Sequence, residues 1–243
     1  GNDWVYHTSR NICQVLHTDT TNINEVKLMG KVVDILSGKE TFDYHPLPNK
    51  KYKAILADPN WKFSTWSSKG QDRSAEKHYE TNTVDEIGHL PIEHIADKDC
   101  ALFMWVTDPI LPMAINLASW WGFNYKTVAF TWVKQNKVAD TYFKGMGYYT
   151  RSNPEMCLLF TKGKPLERMD KNVDQLVVSH LREHSRKPDE VKDRIHRLFG
   201  DVPKIELFAR EQYDPEHWDY WGNEINKFDN ENEELMIEVD LDD

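Results

Sequence analysis

The sequence has few of the features that mark secreted, zinc-finger or membrane proteins. Cysteine occurs only at Cys13, Cys100 and Cys157, with no Cys-x-x-Cys pair, which argues against a zinc site and a disulfide framework. Two of the three lie in strand-like apolar runs, where a buried free thiol is the ordinary state. The apolar runs are strand-sized, far below the about 20 residues that a membrane span needs. We therefore expect an intracellular protein without membrane contact.

Net positive charge is also missing. The chain carries −10, and eight of these charges come from an acidic stretch, residues 228–243, that has no Lys or Arg. Residues 1–227 are thus left at −2. The acidic stretch is typical of a disordered or partner-binding tail. Because the remaining body lacks the basic footprint of a stand-alone nucleic-acid binder, we expect help from a basic partner subunit.

Histidine spacing gives no metal motif. Of the ten histidines, only His180 and His184 have His-x-x-x-His spacing. They fall in a predicted loop, where this spacing fixes no common face, and no third ligand accompanies them. We predict that the protein holds no metal.

The length of 243 residues fits one α/β domain with extensions. We predict an N-terminal extension that contacts a partner (1–50), a main domain (51–225) and a disordered acidic tail (226–243). The chain begins at Gly1, with neither a methionine nor a charged-then-apolar leader, which we interpret as an internal fragment of a longer protein.

Strand and helix patterns alternate through the main domain. This alternation predicts a mostly parallel sheet with helices on both faces. In such sheets ligands bind at the carboxyl ends of strands, so residues at predicted strand ends are site candidates. The predicted strands are 52–57, 101–106, 126–133, 155–161, 175–179 and 204–210, and the predicted helices are 83–95, 109–120 and one that Pro188 opens.

The tetrapeptide Asp58-Pro59-Asn60-Trp61 follows the first predicted strand. This tetrapeptide fits what methylation of the exocyclic amine of adenine requires. The amine is a poor nucleophile, because its lone pair is delocalised into the ring. A carboxylate and a proline-fixed backbone carbonyl supply two acceptors for its hydrogens, and an aromatic face clamps the base by stacking. The four residues are therefore our candidate catalytic group.

Eight sequence motifs, spread through the main domain, strengthen this interpretation. They resemble the mRNA-adenosine methyltransferase (MT-A type) family, whose signature is Asp-Pro-Pro-Trp, and most of all its phage, bacterial and ciliate DNA N6-adenine methyltransferases. The resemblance implies a Rossmann-like class I methyltransferase fold with permuted motif order, a seven-stranded sheet and no early Gly-x-Gly loop. It covers residues 52–224 through ILADPNW, EKHYETNTVDEI, CALFMWVTDP, WGFNYKTVAFTWVK, GYYTRSNPEMCLLFTKGKP, EHSRKPDEV, KIELFAR and WDYWGNE.

The resemblance also implies roles for single residues. Asp58 and Pro59 would hold the adenine amine, Trp61 would stack on the base, and Tyr79 would lie near it. The methyl donor would be S-adenosylmethionine. Lys187 would bind its methionine carboxylate, and Arg210, Asn223 and Glu224 would bind its ribose hydroxyls. The implied donor-binding set is Asp58, Lys187, Arg210, Asn223 and Glu224.

The substrate is expected to be nucleic acid. The segment 134–151 combines cations with aromatic side chains, a mixture suited to phosphate contact and base stacking. The subfamily resemblance favours DNA over RNA, and in a duplex the target base would have to be flipped out. The candidate substrate-binding residues of the segment 134–151 are Lys134, Lys144, Tyr149 and Arg151.

Asn60 departs from the family signature, which has a second proline there. Two consequences of Asn60 stay open. The substrate amine is held less firmly while methyl transfer is retained, or activity is lost. One alternative is a catalytically silent subunit that scaffolds an active methyltransferase-like paralogue and binds nucleic acid. Another is an interaction module that uses the acidic tail. We expect the protein in the nucleus if it is eukaryotic and in the cytoplasm if it is bacterial or from a phage.

Overall fold

The computed structural model describes residues 46–61, 84–183 and 186–225. The chain divides into two units, Gly1–Pro46 and Leu47–Asp243, and the described residues after Pro46 belong to the second. Tyr79, His184, the acidic tail and nearly all of the predicted N-terminal extension lie outside the described residues, so the expectations attached to them stay predictions.

Seven strands form one sheet in the order β5-β3-β4-β2-β1-β6-β7. Strand β4 is antiparallel to both neighbours, and every other pairing is parallel. The predicted seven-stranded, mostly parallel sheet is confirmed. The strands are β1 Tyr52–Ala57, β2 Ala96–Val106, β3 Asn124–Gln135, β4 Glu155–Lys162, β5 Leu176–His180, β6 Lys204–Leu207 and β7 Asp219–Trp221.

Three α-helices lie in the described part of the chain: α1 Val84–Gly88, α2 Leu111–Trp120 and α3 Glu190–Phe199. The prediction of one helix over 83–95 was wrong. Helix α1 ends at Gly88, and a separate 3₁₀ turn, Ile92–His94, follows Pro91. Proline has no amide hydrogen and disfavours the helical conformation of the residue before it, so the helix does not continue through this point.

Two further differences from prediction lie in the last two strands. The last long strand ends at Leu207 rather than at Arg210, because Phe208 has a φ of 62° and leaves the extended conformation. Strand β7 has only three residues, too few for an alternating pattern to stand out.

The central strands are buried on both faces. Four consecutive residues, 54–57, are buried in β1, although their side chains alternate between faces. On one face, Val191 and Ile195 of α3 pack into a cluster with Leu56 and Trp105, while α2 contacts β2 and β3. Cys100 and Cys157 are buried free thiols, as predicted.

The parallel strands β1, β6 and β7 end at one edge of the sheet, which we call the carboxyl edge. Ala57 pairs with Leu207, and Leu207 pairs with Trp221. The residues that follow these three strand ends are therefore neighbours in space. No helix within the described ranges has the length and apolar character that a membrane crossing requires.

Candidate active site

Asp58 lies at the carboxyl edge, one residue after β1. Its amide donates a hydrogen bond to the Leu207 carbonyl at 3.4 Å, which ties the end of β1 to the end of β6. Arg210, three residues after β6, places Nη2 3.7 Å from Asp58 Oδ2. Both side chains are mostly buried, with 12% of Arg210 and 19% of Asp58 exposed. Two residues predicted from separate motifs thus meet.

Lys187 makes a second contact with the same carboxylate. It stands in the turn before α3, and its Nζ lies 3.1 Å from Asp58 Oδ2 and 3.0 Å from Glu155 Oε1. Burial alone would lower the pKa of Lys187, but the negative charges of Asp58 and Glu155 outweigh it and raise the pKa. Lys187 is therefore a cation held between two carboxylates.

Glu155 is one of the residues of this site that the sequence did not reveal. It is the first residue of β4 and is 5% exposed. Its Oε2 lies 2.8 Å from Lys134 Nζ, and its Oε1 contacts Lys187. Burial would raise the pKa of Glu155, but Lys187 and Lys134 outweigh it and lower the pKa. The only sequence signal was an acid at the start of an apolar strand, which does not reveal its partners.

Together these contacts form one chain of alternating charge, Lys134–Glu155–Lys187–Asp58–Arg210, which we call the ion-pair network. It contains three cations and two carboxylates. Because neighbours in the network have opposite charge and low exposure, each holds the next in place. The network fixes the Asp58 carboxylate at the carboxyl edge.

Trp61 is more enclosed than a free stacking platform. It is 6% exposed, and its indole Nε1 donates to the Trp105 carbonyl at 3.2 Å. Its amide donates to the Pro59 carbonyl at 2.8 Å, which leaves that oxygen one further lone pair. Stacking on a base needs an uncovered ring face, so this role of Trp61 stays a prediction. Asn60 is half-buried.

The predicted substrate residues separate into two groups. Lys134 is directed inward to Glu155, lies 5.0 Å from the Trp132 ring centroid and is 18% exposed, a geometry that favours the network over phosphate contact. Lys144, Tyr149 and Arg151 are exposed on the segment that follows β3. That segment is tied down by the Asn153 amide, which donates to the backbone carbonyls of residues 134 and 143 at 2.9 and 2.6 Å.

A polar cleft opens beside Asp58. Arg186 and Glu211, which the sequence analysis did not select, form an ion pair within it, with Arg186 Nε 2.6 Å from Glu211 Oε1. Phe208, with its positive φ, forms part of the wall, and such strained backbone is common at ligand sites. The cleft is lined by Leu56, Asp58, Trp105, Arg186, Lys187, Pro188, Lys192, Glu206, Phe208, Arg210 and Glu211.

Asn223 and Glu224, the remaining donor candidates, follow β7 at the carboxyl edge. Asn223 is exposed and Glu224 is half-buried. The strand end before them is fixed by a hydrogen bond from the Ala209 amide to the Trp221 carbonyl at 3.0 Å. They share the carboxyl edge with Asp58 and Arg210, although neither lines the cleft.

Gly222 allows this close approach of the two strand ends. A Cβ on residue 222 would lie 2.5 Å from the Ala209 carbonyl oxygen and 2.8 Å from its nitrogen. We expect Gly222→Ala to lower the free energy of unfolding by about 1–3 kcal/mol, as overpacking does, in a urea titration. The neighbouring exposed substitution Asn223→Ala should change it by less than about 0.5 kcal/mol. Equal stability of the Gly222→Ala and parent proteins would contradict the predicted clash.

Comparisons with known proteins cover the part of the chain that carries these contacts. A model of the MT-A70 family matches residues 52–224. The chain is 40% identical over 195 residues to the "Type II methyltransferase M.MunI" of Mycoplasma sp, covering 74% of this chain and 80% of that protein. It is 32% identical to the "N(6)-adenosine-methyltransferase subunit METTL3" of Danio rerio and 31% identical to the human METTL3 catalytic subunit, each over 178 residues, or 72% of this chain.

The chain spans only 28% of the length of either METTL3 protein, so the resemblance concerns less than a third of each. The family match begins with β1 and ends at Glu224, so it contains the whole ion-pair network, the tetrapeptide 58–61, and Asn223 and Glu224 after β7. The chain is therefore a member of the MT-A70 family of methyltransferases.

Proposed function

We propose that this protein is an S-adenosylmethionine-dependent methyltransferase that acts on the N6 amine of adenine in DNA. The observation that carries the proposal is the Asp58 carboxylate at the carboxyl edge, contacted by Lys187 and Arg210 and facing a cleft. Ligands of open α/β sheets bind at this edge.

The contacts among the described residues leave Asp58 Oδ1 for the amine. Lys187 and Arg210 both contact Oδ2, so we assign Oδ1 to one amine hydrogen and the second lone pair of the Pro59 carbonyl to the other. These acceptors raise electron density on the nitrogen. Methyl transfer leaves an extra proton on that nitrogen, and a carboxylate in contact with it is placed to accept the proton.

The residues of the cleft suit the proposed donor. Lys187 and Arg210 both line the cleft, and cations of this kind suit a carboxylate ligand such as that of a methionine group. Asn223 and Glu224 supply amide and carboxylate groups of the kind that bind ribose hydroxyls. S-adenosylmethionine would supply an electrophilic methyl group, and the protein would supply its position relative to the amine.

The preference for DNA rests on relatedness. The chain is 40% identical to a type II methyltransferase and 31–32% identical to METTL3 proteins. The METTL3 names refer to adenosine methylation, which supports adenine as the target base. The near-neutral charge of residues 1–227 supports a partner subunit, which we propose as a basic DNA-binding protein or a methyltransferase-like paralogue.

The decisive experiment combines donor binding with turnover. Calorimetry should show S-adenosylmethionine binding, and labelled donor should transfer its methyl group to adenine-containing DNA oligonucleotides better than to matched RNA, with or without candidate partners. Donor binding without transfer to either substrate, even with partners present, would favour the silent-subunit alternative. Absence of donor binding would refute the proposal, and RNA preference would correct the substrate.

The exposed segment after β3 gives a separate test of substrate binding. Tyr149 is 94% exposed and packs edge-on against Tyr148 with ring centroids 5.0 Å apart. If it stacks on a base, Tyr149→Ala should weaken binding of single-stranded DNA about 10-fold, measured by fluorescence anisotropy. Tyr149→Phe keeps the ring and should bind like the parent. The melting temperature should not change in either variant, and unchanged affinity of Tyr149→Ala would remove this residue from the interface.

A further inference from the structure

A second cluster of polar side chains lies apart from the candidate active site. His196 is in the last turn of α3, Asp201 is in the turn that follows it, and His217 precedes β7. The two imidazole rings are 4.3 Å apart between centroids. Their residue numbers differ by twenty-one, so no local spacing in the sequence suggested that they meet.

The three side chains converge on a common point. One ligand atom from each lies within 4.8 Å of the other two. Asp201 Oδ1 is 3.8 Å from His196 Nε2 and 3.9 Å from His217 Nε2. Tetrahedral zinc with bonds of about 2.0–2.1 Å places its ligand atoms about 3.3–3.4 Å apart. The two Asp201–histidine distances would have to shorten by roughly half an ångström, and the distance between the two histidine ligand atoms, at most 4.8 Å, by up to about 1.4 Å. The Asp201 side chain, 87% exposed, has room to move.

Asp214 orients one of the two imidazoles. Its Oδ1 and Oδ2 lie 3.0 and 3.1 Å from His217 Nδ1, so Nδ1 carries the hydrogen and donates it. In the neutral imidazole the lone pair is then on Nε2, the atom that lies 3.9 Å from Asp201 Oδ1. A carboxylate behind a histidine in this way is the usual support of a metal-binding imidazole, because it fixes the tautomer and the ring orientation.

A simple ion pair explains less of this arrangement. One exposed aspartate needs no second histidine, and two imidazoles side by side gain little from each other without a shared ligand. The neighbouring Lys204 opposes a bound cation, but its Nζ is held by the carbonyls of Gly200 and Val202 at 2.6 and 3.0 Å. Asp201 and Asp214 supply two negative charges near it.

We propose that His196, Asp201 and His217 form a binding site for one divalent transition metal such as Zn²⁺, with solvent in the remaining position. Two imidazoles and a carboxylate are a donor set that this class of ion takes. The proposal runs against the expectation from sequence that the protein holds no metal.

The position of the site indicates what the metal would do. Lys187 precedes α3 and the cluster lies at the other end of this helix, about 15 Å away for its ten residues. The site would therefore tie α3 to the segment before β7, away from the reacting groups. Lys187 lies just before α3, and Asn223 lies just after β7.

The test uses the full chain without an affinity tag, after removal of metal by a chelator. Titration with Zn²⁺ should show one binding event per chain, and saturation should raise the melting temperature. With Co²⁺ the protein should develop visible ligand-field bands without the thiolate charge-transfer band of a cysteine site. The absence of Zn²⁺ binding, or a thiolate band that accounts for it, would overturn the proposal.

Variants assign the ligands. His217→Gln should weaken Zn²⁺ binding by at least about 10-fold, and Asp214→Asn, which keeps all three ligands, should weaken it by about 10-fold through lost orientation. His94→Gln is the matched control, since His94 lies outside the cluster, in the 3₁₀ turn before β2 and 3.7 Å from Glu93, and should leave binding unchanged. Circular dichroism checks that each variant is folded. Equal Zn²⁺ affinity in His217→Gln and the parent would place the metal elsewhere and refute the site.

Discussion

Asp58→Asn is expected to reduce methylation of an adenine-containing oligonucleotide at least about 100-fold, in line with the loss of one preorganised electrostatic contact at a reacting group. The substitution keeps the shape of the side chain but replaces the carboxylate by an amide. The amide nitrogen would face Lys187 or the substrate amine, both of which are donors. Single-turnover assays with labelled donor measure the effect on the chemical step directly.

Donor affinity should change much less than turnover, because Lys187, Arg210 and the residues after β7 are retained. Calorimetric titration with S-adenosylmethionine measures this. Asp108→Asn is a suitable control, since Asp108 follows the parallel neighbour β2 at the same edge but does not line the cleft. Unchanged turnover in Asp58→Asn would end the assignment of Asp58 as the group that holds the amine.

Glu155→Gln is expected to lower the free energy of unfolding by about 3 kcal/mol, because breaking a buried ion pair leaves charges without compensation. Here two lysines lose a carboxylate at 2.8 and 3.0 Å. Urea titration followed by circular dichroism measures the change. The control is Glu183→Gln, which removes an equally short contact of 2.8 Å to Lys137 where both side chains are more than half exposed. Exposed pairs contribute less than about 1 kcal/mol.

The pH dependence of stability should also change in Glu155→Gln. The pKa of Glu155 is lowered in the folded protein from its ordinary value of 4.5, so the ionised group stabilises the fold above that value. This stabilisation is lost as the pH falls through the folded pKa. Lys187, whose pKa is raised, loses its contribution only in strongly alkaline solution. The free energy of unfolding of Glu155→Gln should therefore fall less than that of the parent between about pH 5 and pH 2. If both proteins lose stability equally over this range, Glu155 is not charged in the folded protein.

Local pattern predicted the parts of the molecule that depend on neighbouring residues. Apolar runs located β1 to β6, and the strand-end rule placed Asp58 and Arg210 at one edge. The rule did not reveal that Lys134 turns inward, because the partner that attracts it, Glu155, lies twenty-one residues away and carries no motif. The same limit applies to Arg186 with Glu211. Contacts between distant residues become visible only when the sheet order is known.

Reversal of one strand has a consequence for how the site is built. Because β4 runs against its neighbours, its first residue, and not its last, lies at the edge where the parallel strands finish, and Glu155 pairs with Trp132 near the end of β3. A carboxylate can thus enter the interior at the very beginning of an apolar strand, without a long loop to carry it there. A slip of one residue in this pairing would turn Glu155 to the opposite side of the sheet. Insertions within β4 should therefore be far less tolerated than insertions in the exposed segment before it.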